Sequence, residues 1–527
     1  MSSPQYECTP LEEIDRIHAE LHATFLSASL SSLSSSPSSS TTNGSFNTPP
    51  FPLLSIRYRT HQVLQIARLC QENADAICDA LFQDLGKPRE EVLLAEVGAV
   101  IERALITAQK VEEWVTGGDA EKVEMTAGWQ KNWKAKVERR AKGVGLVISP
   151  WNYPLILTFQ PLLGAVAAGC PAAIKLSEVV PQFSSLMAKL IAKYLDPRAY
   201  RVVLGGVKEI TRVLQLKWDQ IFYTGNGRVA RIISAAAARH LTPMTLELGG
   251  KSPVIIHPET CGDLETAARR IIWGKINNAG QICIAPDYVL IPTTSIPSFV
   301  SAVSKALKSF FPKGALHPES SYARIVSQAH FKRIKGLLEG TKGKIVLGGQ
   351  TGPGSVTSTP DRGIEPTVVV FPESMSLEEI GKDVLMEEEL FAPVLPVIGV
   401  KSLEEGLEFV RRRDHPLVIY AFTEDQSLQD KILNTTMSGN FVFNDTFQQL
   451  ASNDIPFGGV GESGHGRQVL KYTFDEFTYL RSVVDIPQSD EPGFVGRYPP
   501  STAQSVAFAE GCLKIPIPTV GGRKAAL

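Results

Sequence analysis

No two cysteines of this 527-residue chain stand in a CxxC spacing, and their number is odd. Cys8, Cys70, Cys78, Cys170, Cys261, Cys283 and Cys512 therefore suggest neither a disulfide framework nor a zinc site, and they fit a reducing compartment. An excess of one charge is also missing. Lys and Arg number 53 against 55 Asp and Glu, which gives no electrostatic case for nucleic acid or an anionic membrane surface. The start, MSSPQYECTPLEEIDRIHAE, has no basic stretch followed by an apolar core, so no signal peptide is expected. An uninterrupted apolar span is lacking too. Pro150, Pro154, Pro161 and Pro171 break the charge-free stretch Gly143–Ile174. Proline inside a helix costs ~3 kcal/mol, so a strand, a turn and a short buried helix explain that stretch better than a membrane span. A cytoplasmic protein without a transmembrane anchor is expected, and no internal repeat is visible.

What is present suits a large soluble fold. Hydrophobic residues make up 43% of the chain, enough for an extensive core, and the length suggests two to four structural units. Leu11, Ile14, Ile17, Leu21 and Phe25 recur at helical spacing, predicting an amphipathic helix over 10–26. Residues 27–50 are Ser/Thr/Pro-rich and uncharged, the composition of a flexible insertion. A second helix is predicted from about Tyr58 to Leu85, closed by Gly86 and Pro88. From Gly143 onward, GVGLVIS, AAIKLS, RVVLGG, QIFYTG, MTLELGG and SPVIIH read as buried strands, several separated by helical stretches. That alternation predicts an α/β fold with a parallel sheet flanked by helices. Residues 122–142 are polar and suit an exposed hairpin or an oligomer contact, and a Pro/Gly-rich surface tail is expected after about Pro487.

Several short segments carry chemistry. QIFYTGNGRVARI (220–232) places a Gly-rich turn between a strand and a helix starting near Arg228, where free backbone N–H groups can cradle a phosphate. Without a full GxGxxG it also reads as an ordinary turn. In IKLSE (174–178), a lysine and a glutamate three apart could hold a ribose or simply face solvent. In TLELGGKSP (245–253), Glu247 ends an apolar strand before a Gly-Gly turn. A partly desolvated carboxylate there has its pKa raised toward the range of a general base, although a salt-bridged glutamate fits as well. A helix over Asp263–Asn278, with Asp263 as its N-cap, leads to Cys283, a nucleophile or a packing thiol. In PWNYP (150–154), two prolines pin a turn from which the Asn152 amide can donate into a cleft.

These segments occur in the order PWNYP, LELGGK, GQICIAP, EEELFAPV and IPFGGVGESGHG. Over about residues 52–500 the chain resembles the aldehyde dehydrogenase superfamily. Within it the chain is most similar to the class 3 branch of fatty-aldehyde and fungal apocarotenal-type enzymes, through WNYP, WGK (273–275), IAPDYVL (284–290) and RYPP (497–500). The resemblance implies a Rossmann-like cofactor domain, an α/β catalytic domain and a bridging oligomerisation sheet. The implied boundaries are an N-terminal helix and insertion over 1–51, and a dinucleotide-binding domain over 52–121 and 144–246. A catalytic domain follows over 247–436, with the bridging sheet over 122–143 and 437–485 and a tail over 486–527. A homodimer is implied.

By the same resemblance Cys283 is the nucleophile, Glu247 the general base, and Asn152, with the Cys283 N–H, the oxyanion donor. Lys175 and Glu178 would hold the adenosine ribose. Gly225 and Asn226 would form the pyrophosphate turn, Glu389 would hold the nicotinamide ribose, and Trp151 and Phe391 belong to the cofactor side. The implied reaction oxidises an aldehyde to an acid with NAD or NADP through a thiohemiacetal and a thioester, without metal. It calls for a thiol pKa below the free value of ~8.5. Apolar residues hint at a medium- or long-chain, apocarotenoid or aromatic aldehyde. Four positions depart from the pattern: Asn226 for serine, Ala230 for glycine, Ala392 for glycine, and Ile282 for threonine, the last making the mouth beside the sulfur more apolar. A thiol esterase would need a histidine base, and no histidine stands in a motif beside Cys283 or Glu247. Joint retention of Cys283, Glu247 and Asn152 argues against a non-catalytic binding protein on this scaffold.

Overall fold

The computed structural model describes residues 6–31, 53–117, 123, 125, 127–352, 362–514 and 516–517. Most of the Ser-rich stretch expected to be flexible lies outside them. The described chain forms two compact units, one from residues up to Val115 with Ala141–Tyr479, the other from Thr116–Arg140 with the residues after Tyr479.

The larger unit is built on two sheets. In the first, strands Gly145–Ile148, Ala172–Lys175, Tyr200–Val203, Gln220–Thr224 and Met244–Glu247 run parallel, and the short strand Gly464–His465 adds antiparallel to Met244–Glu247. Three of the five parallel strands are buried at every position, because helices cover both faces. The chain starts at Gly145–Ile148, steps outward through Ala172–Lys175 to Tyr200–Val203, then returns to the other side for Gln220–Thr224 and Met244–Glu247. The second sheet orders Asn440–Phe443, Val418–Phe422, Pro253–Ile256, Tyr288–Pro292, Val394–Val400, Thr367–Val370 and Lys344–Leu347. All neighbours pair parallel except the last two.

The N-terminal helix runs farther than its pattern, from Leu11 to Ser31, and buries Ile14, Ile17 and Leu21 with Leu146 and Ile221 of the first sheet and Trp218 just before the strand Gln220–Thr224. The single helix expected over Tyr58–Leu85 is two, Ile56–Glu72 and Ala74–Leu85. Asn73 separates them, and its side-chain amide donates to the Leu69 carbonyl at 2.8 Å and to the Tyr194 hydroxyl at 3.1 Å. Gly86 closes the second helix in the left-handed region at φ +62°.

Strand Lys134–Ala141 is not half of a local hairpin. Its partner is Thr478–Asp485, far away in sequence, and the two form a separate two-stranded sheet. In the smaller unit Glu138 lies among Lys136, Arg140 and Arg481, whose hydrogen bonds hold its carboxyl down to about 2. Beyond it, Gln488–Arg497 and Ala503–Gly511 are short helical segments with no buried residues among those described.

Candidate active site

In a doubly wound sheet, ligands bind beyond the carboxyl ends of the strands, where the strand order reverses. Here the reversal lies between Gly145–Ile148 and Gln220–Thr224. The segments leaving those ends are the ones singled out above: Ser149–Pro154, Leu176–Glu178, Gly225–Asn226 and Leu248.

The turn after Gln220–Thr224 is shaped by lack of room. A Cβ on Gly225 would lie 2.2 Å from the Tyr223 hydroxyl, and the Gly225 N–H is committed to the Glu247 carbonyl at 3.0 Å. Asn226 caps the helix Gly227–Ala238, its Oδ1 accepting from Val229 N at 2.9 Å. Asparagine and serine cap equally well, so this departure keeps the local structure. Ala230 is buried in the same helix. A helix N-terminus opening at a strand end in this way could cradle a diphosphate. At the neighbouring strand end Lys175 is buried, with Nζ 2.7 Å from the Leu176 carbonyl and 3.4 Å from Glu178. Burial pulls the Lys175 pKa down, and Glu178 partly restores it. Glu178 itself is exposed at the mouth, placed to accept from sugar hydroxyls. These residues fit a dinucleotide.

Glu247 is the last residue of its strand and is 2% exposed. Neither carboxylate oxygen makes a hydrogen bond to protein. Burial raises its pKa well above the usual range, Arg467 and Gln468 pull it down, and Glu476 adds to the rise. The expected direction of that shift is what the structure gives. The Gly249–Gly250 turn follows, and a Cβ on Gly249 would lie 2.2 Å from the Glu389 carboxylate.

Cys283 sits on a loop held in an uncommon backbone. Asn278, Ala279 and Gly280 are all left-handed, at φ 47°, 51° and 74°, and a Cβ on Gly280 would lie 2.2 Å from the Ala392 carbonyl. Such geometry persists only where the surroundings impose it. The Asn278 amide donates to the Asn152 carbonyl at 2.9 Å. The buried Gln281 amide donates to Asn278 O at 2.8 Å and Arg324 O at 3.0 Å and accepts from Val326 N at 2.9 Å. Cys283 emerges half-buried. Burial, Glu389 and Glu247 push its thiol pKa up, opposite to the lowering expected for a free-standing nucleophile, while the N–H groups of Cys283 and Ile284 pull it down.

Asn152 is buried, and its amide donates to the Gln281 carbonyl at 3.1 Å, leaving a second N–H for the cleft. Its own carbonyl accepts from Lys87 Nζ at 2.7 Å, and Lys87 is paired with Glu96 at 2.7 Å, both fully buried. Glu96 lies on a π-helical turn, Leu93–Gly98, a form frequent at functional sites. Asn152, Glu247 and Cys283 line one cleft of about 870 Å3 with Ile282, Phe310, Phe311, Leu417, Phe447 and Phe457. Of the residues expected on the cofactor side, Glu389 comes near enough to Cys283 to push its thiol up. Trp151 packs edge-on against Phe391, ring centroids 5.3 Å apart, and against His330 at the same distance. Glu389 is raised to about 8 by burial and Asp287, against Gly250 N–H, Lys251 and Lys275. Lys275 is buried without a hydrogen bond and lowered to about 8 by burial. Lys87, Glu96, Gln281, Lys275 and Gln468 were not singled out from sequence. The only signal was a polar residue inside an apolar stretch, as in GQICI.

A two-sheet α/β fold with a dinucleotide cradle beside a cysteine, a buried carboxylate and an amide defines a nicotinamide-dependent oxidoreductase. The chain belongs to the aldehyde dehydrogenase family, whose model matches residues 45–483. A dimeric NADP-preferring aldehyde dehydrogenase of Rattus norvegicus is 38% identical over 85% of this chain and 94% of its own length. Aldehyde dehydrogenase family 3 member A2 of Pongo abelii is 38% identical over 86% and 89%. Among solved structures, a substrate-bound Staphylococcus aureus AldH superposes with a TM-score of 0.82 at 31% identity, over 95% of this chain and 99% of that one. The glyceraldehyde-3-phosphate dehydrogenase GapN of Methanocaldococcus jannaschii, complexed with NADP, shares the fold with a TM-score of 0.74 at 21% identity, over 91% and 95%. The protein is thus an aldehyde dehydrogenase of the class 3 branch. Among the described residues, no helix is long and apolar enough to cross a membrane.

Proposed function

We propose that the chain oxidises an apolar aldehyde to its acid through a covalent adduct on Cys283. The observation that carries this reading is that Cys283, Glu247 and Asn152 line the same cleft. The Cys283 thiol releases its proton to solvent, and the thiolate attacks the aldehyde carbon. The oxygen that gains the charge is met by the free Asn152 N–H and the Cys283 N–H, donors typically worth ~3–4 kcal/mol each in a transition state. A bound oxidised nicotinamide would supply the hydride acceptor and a positive charge. The carbon is then held as a thioester on the sulfur. Glu247 takes a proton from water, the hydroxide adds to the thioester carbon, and the acid departs as the thiolate is restored. With Glu389 and Glu247 close by, the resting thiol stays protonated, and its nucleophilic form is kept for the loaded enzyme.

Lys175, Glu178, Gly225 and Asn226 would hold the adenosine diphosphate half, and Glu389, Trp151 and Phe391 the nicotinamide half. The first sheet would serve as the cofactor domain and the second as the catalytic domain. The cleft favours a medium- or long-chain, apocarotenoid or aromatic substrate, because its walls are aromatic and aliphatic and its volume falls in the range of small-molecule sites. Leu480, Val484 and Ile486 are exposed on and just after the strand Thr478–Asp485, which supports a homodimer built through the two-stranded sheet. A cytoplasmic location fits the unpaired cysteines. The test is a screen of kcat/KM across aldehyde chain lengths with each cofactor. A steep rise with apolar length supports the reading, and equal activity on the shortest aldehydes refutes the apolar-substrate assignment.

A further inference from the structure

No well-formed hydrogen bond reaches the Glu247 carboxylate, and the one amide near enough to act on it as a donor is that of Gln468, yet the carboxylate must be held in one orientation for a water to approach. We propose that Arg103, Gln160 and Gln468 form a directional hydrogen-bond chain that presents the Gln468 amide to Glu247 as a fixed donor and positions that carboxylate. The inference rests on the reading of Glu247 as the base.

Three elements distant in sequence build the chain. Arg103 lies on the helix Ala99–Thr116, Gln160 on the helix Ile156–Ala168 that follows the Asn152 turn, and Gln468 just after the strand that pairs with Glu247. Arg103 is 6% exposed, and every guanidinium nitrogen donates: Nη1 to Gln160 Oε1, Nη2 to Leu450 O at 2.9 Å, and Nε to Asn453 Oδ1 at 3.1 Å. A guanidinium only donates and keeps its proton, so the Gln160 oxygen must face it. The Gln160 nitrogen then donates to Gln468 Oε1 at 2.5 Å. Each amide is thereby oriented by the one before it, and the Gln468 nitrogen is left to point onward. Arg103, Gln160, Gln468 and Glu247 all line the cleft. The other charged and titratable groups that face Glu247 are Arg467, Glu476 and Cys283. Glu476 is engaged elsewhere, accepting from Thr245 Oγ1 at 2.6 Å and Arg467 N at 2.9 Å. A neutral amide carries no proton away, so the chain stabilises and orients the ionised carboxylate and does not relay.

The experiment follows thioester breakdown against pH in the full-length enzyme, after a burst of reduced nicotinamide has formed. Gln468→Met keeps length and removes the donor. Its acid limb should move up by about one pH unit, the scale of one charge-assisted hydrogen bond, with the burst amplitude kept and aldehyde KM within about twofold. Gln468→Glu keeps shape but donates nothing when ionised, and should move the limb at least as far. A packing role predicts instead that Glu behaves like Gln. Gln160→Met, which leaves Gln468 intact, should move it in the same direction by less, and it carries the comparison if Gln468→Met does not fold. An unmoved limb in these variants overturns the chain. Glu247→Gln separates the two claims. If the limb survives that change, Glu247 is not the base. If it vanishes there while the Gln468 variants leave it in place, the chain alone fails.

Discussion

Replacing Lys87 by methionine should cost both stability and rate, for separable reasons. Lys87 and Glu96 are both 0% exposed and 2.7 Å apart, and the ammonium also lies 3.6 Å from the centroid of the Tyr153 ring. Methionine fills much the same space but leaves Glu96 buried with one remaining partner, Leu155 N at 2.8 Å. Stranding one member of a buried pair costs about 3–5 kcal/mol, which at roughly 2 °C per kcal/mol lowers Tm by on the order of 6–10 °C. Adding Glu96→Gln removes the stranded charge and should recover most of that loss. The rate should not recover. In both variants the Asn152 carbonyl keeps only the Asn278 amide, at 2.9 Å, so Asn152 loses one of the two contacts to its carbonyl, with the bond from its side chain to Gln281 remaining. A drop in kcat of about tenfold is expected, since small misplacements of a catalytic group are costly. Scanning fluorimetry together with initial rates reads both effects. A double variant with full wild-type kcat would refute the positioning of Asn152 by Lys87, and an unchanged Tm in Lys87→Met would refute the energetics.

Three further outcomes follow from the site. Because burial and two carboxylates raise the Cys283 thiol, alkylation of the cofactor-free enzyme should accelerate about tenfold per pH unit across neutrality; a plateau below neutrality would contradict it. The folded-state pKa of Glu247 lies above its unfolded value, so the stability of its neutral form is fully present below the unfolded value and is lost as pH rises through the folded one. Glu247→Gln should therefore raise Tm more at about pH 9 than at about pH 6, as read by scanning fluorimetry. Gly225→Ala forces a Cβ against the Tyr223 hydroxyl, and should weaken NAD(P) binding by roughly tenfold or more in a fluorescence titration while Cys283 alkylation is unchanged.

The strands of the first sheet and the helix before Cys283 were legible because each is an apolar run bounded by turn residues. The Asp263 cap was legible too, and it accepts from Glu265 N and Thr266 N. What stayed hidden depends on partners far away in the chain. Asn73 breaks a continuous helical pattern through Tyr194, which lies on another helix. Lys134–Ala141 pairs with a strand more than three hundred residues on, as the Arg481–Glu138 contact shows; only the resemblance, and no local pattern, had put these two stretches in one sheet. The polar groups that hold Asn152 and the Cys283 loop act across separations of 65 and 45 residues, and no local pattern marks them. The upward shift of the thiol in the cofactor-free chain was hidden for the same reason. A cysteine after a glycine-containing turn says nothing of Glu389, which the fold brings near from more than a hundred residues away.

The most direct test of the central assignment is the pre-steady-state time course of Glu247→Gln with an apolar aldehyde and excess NAD(P). A burst of about one reduced nicotinamide per active site, followed by a steady state slowed about a hundredfold or more, is the predicted result, with no burst at all in Cys283→Ser. A steady-state rate in Glu247→Gln equal to that of the unaltered enzyme would contradict the account.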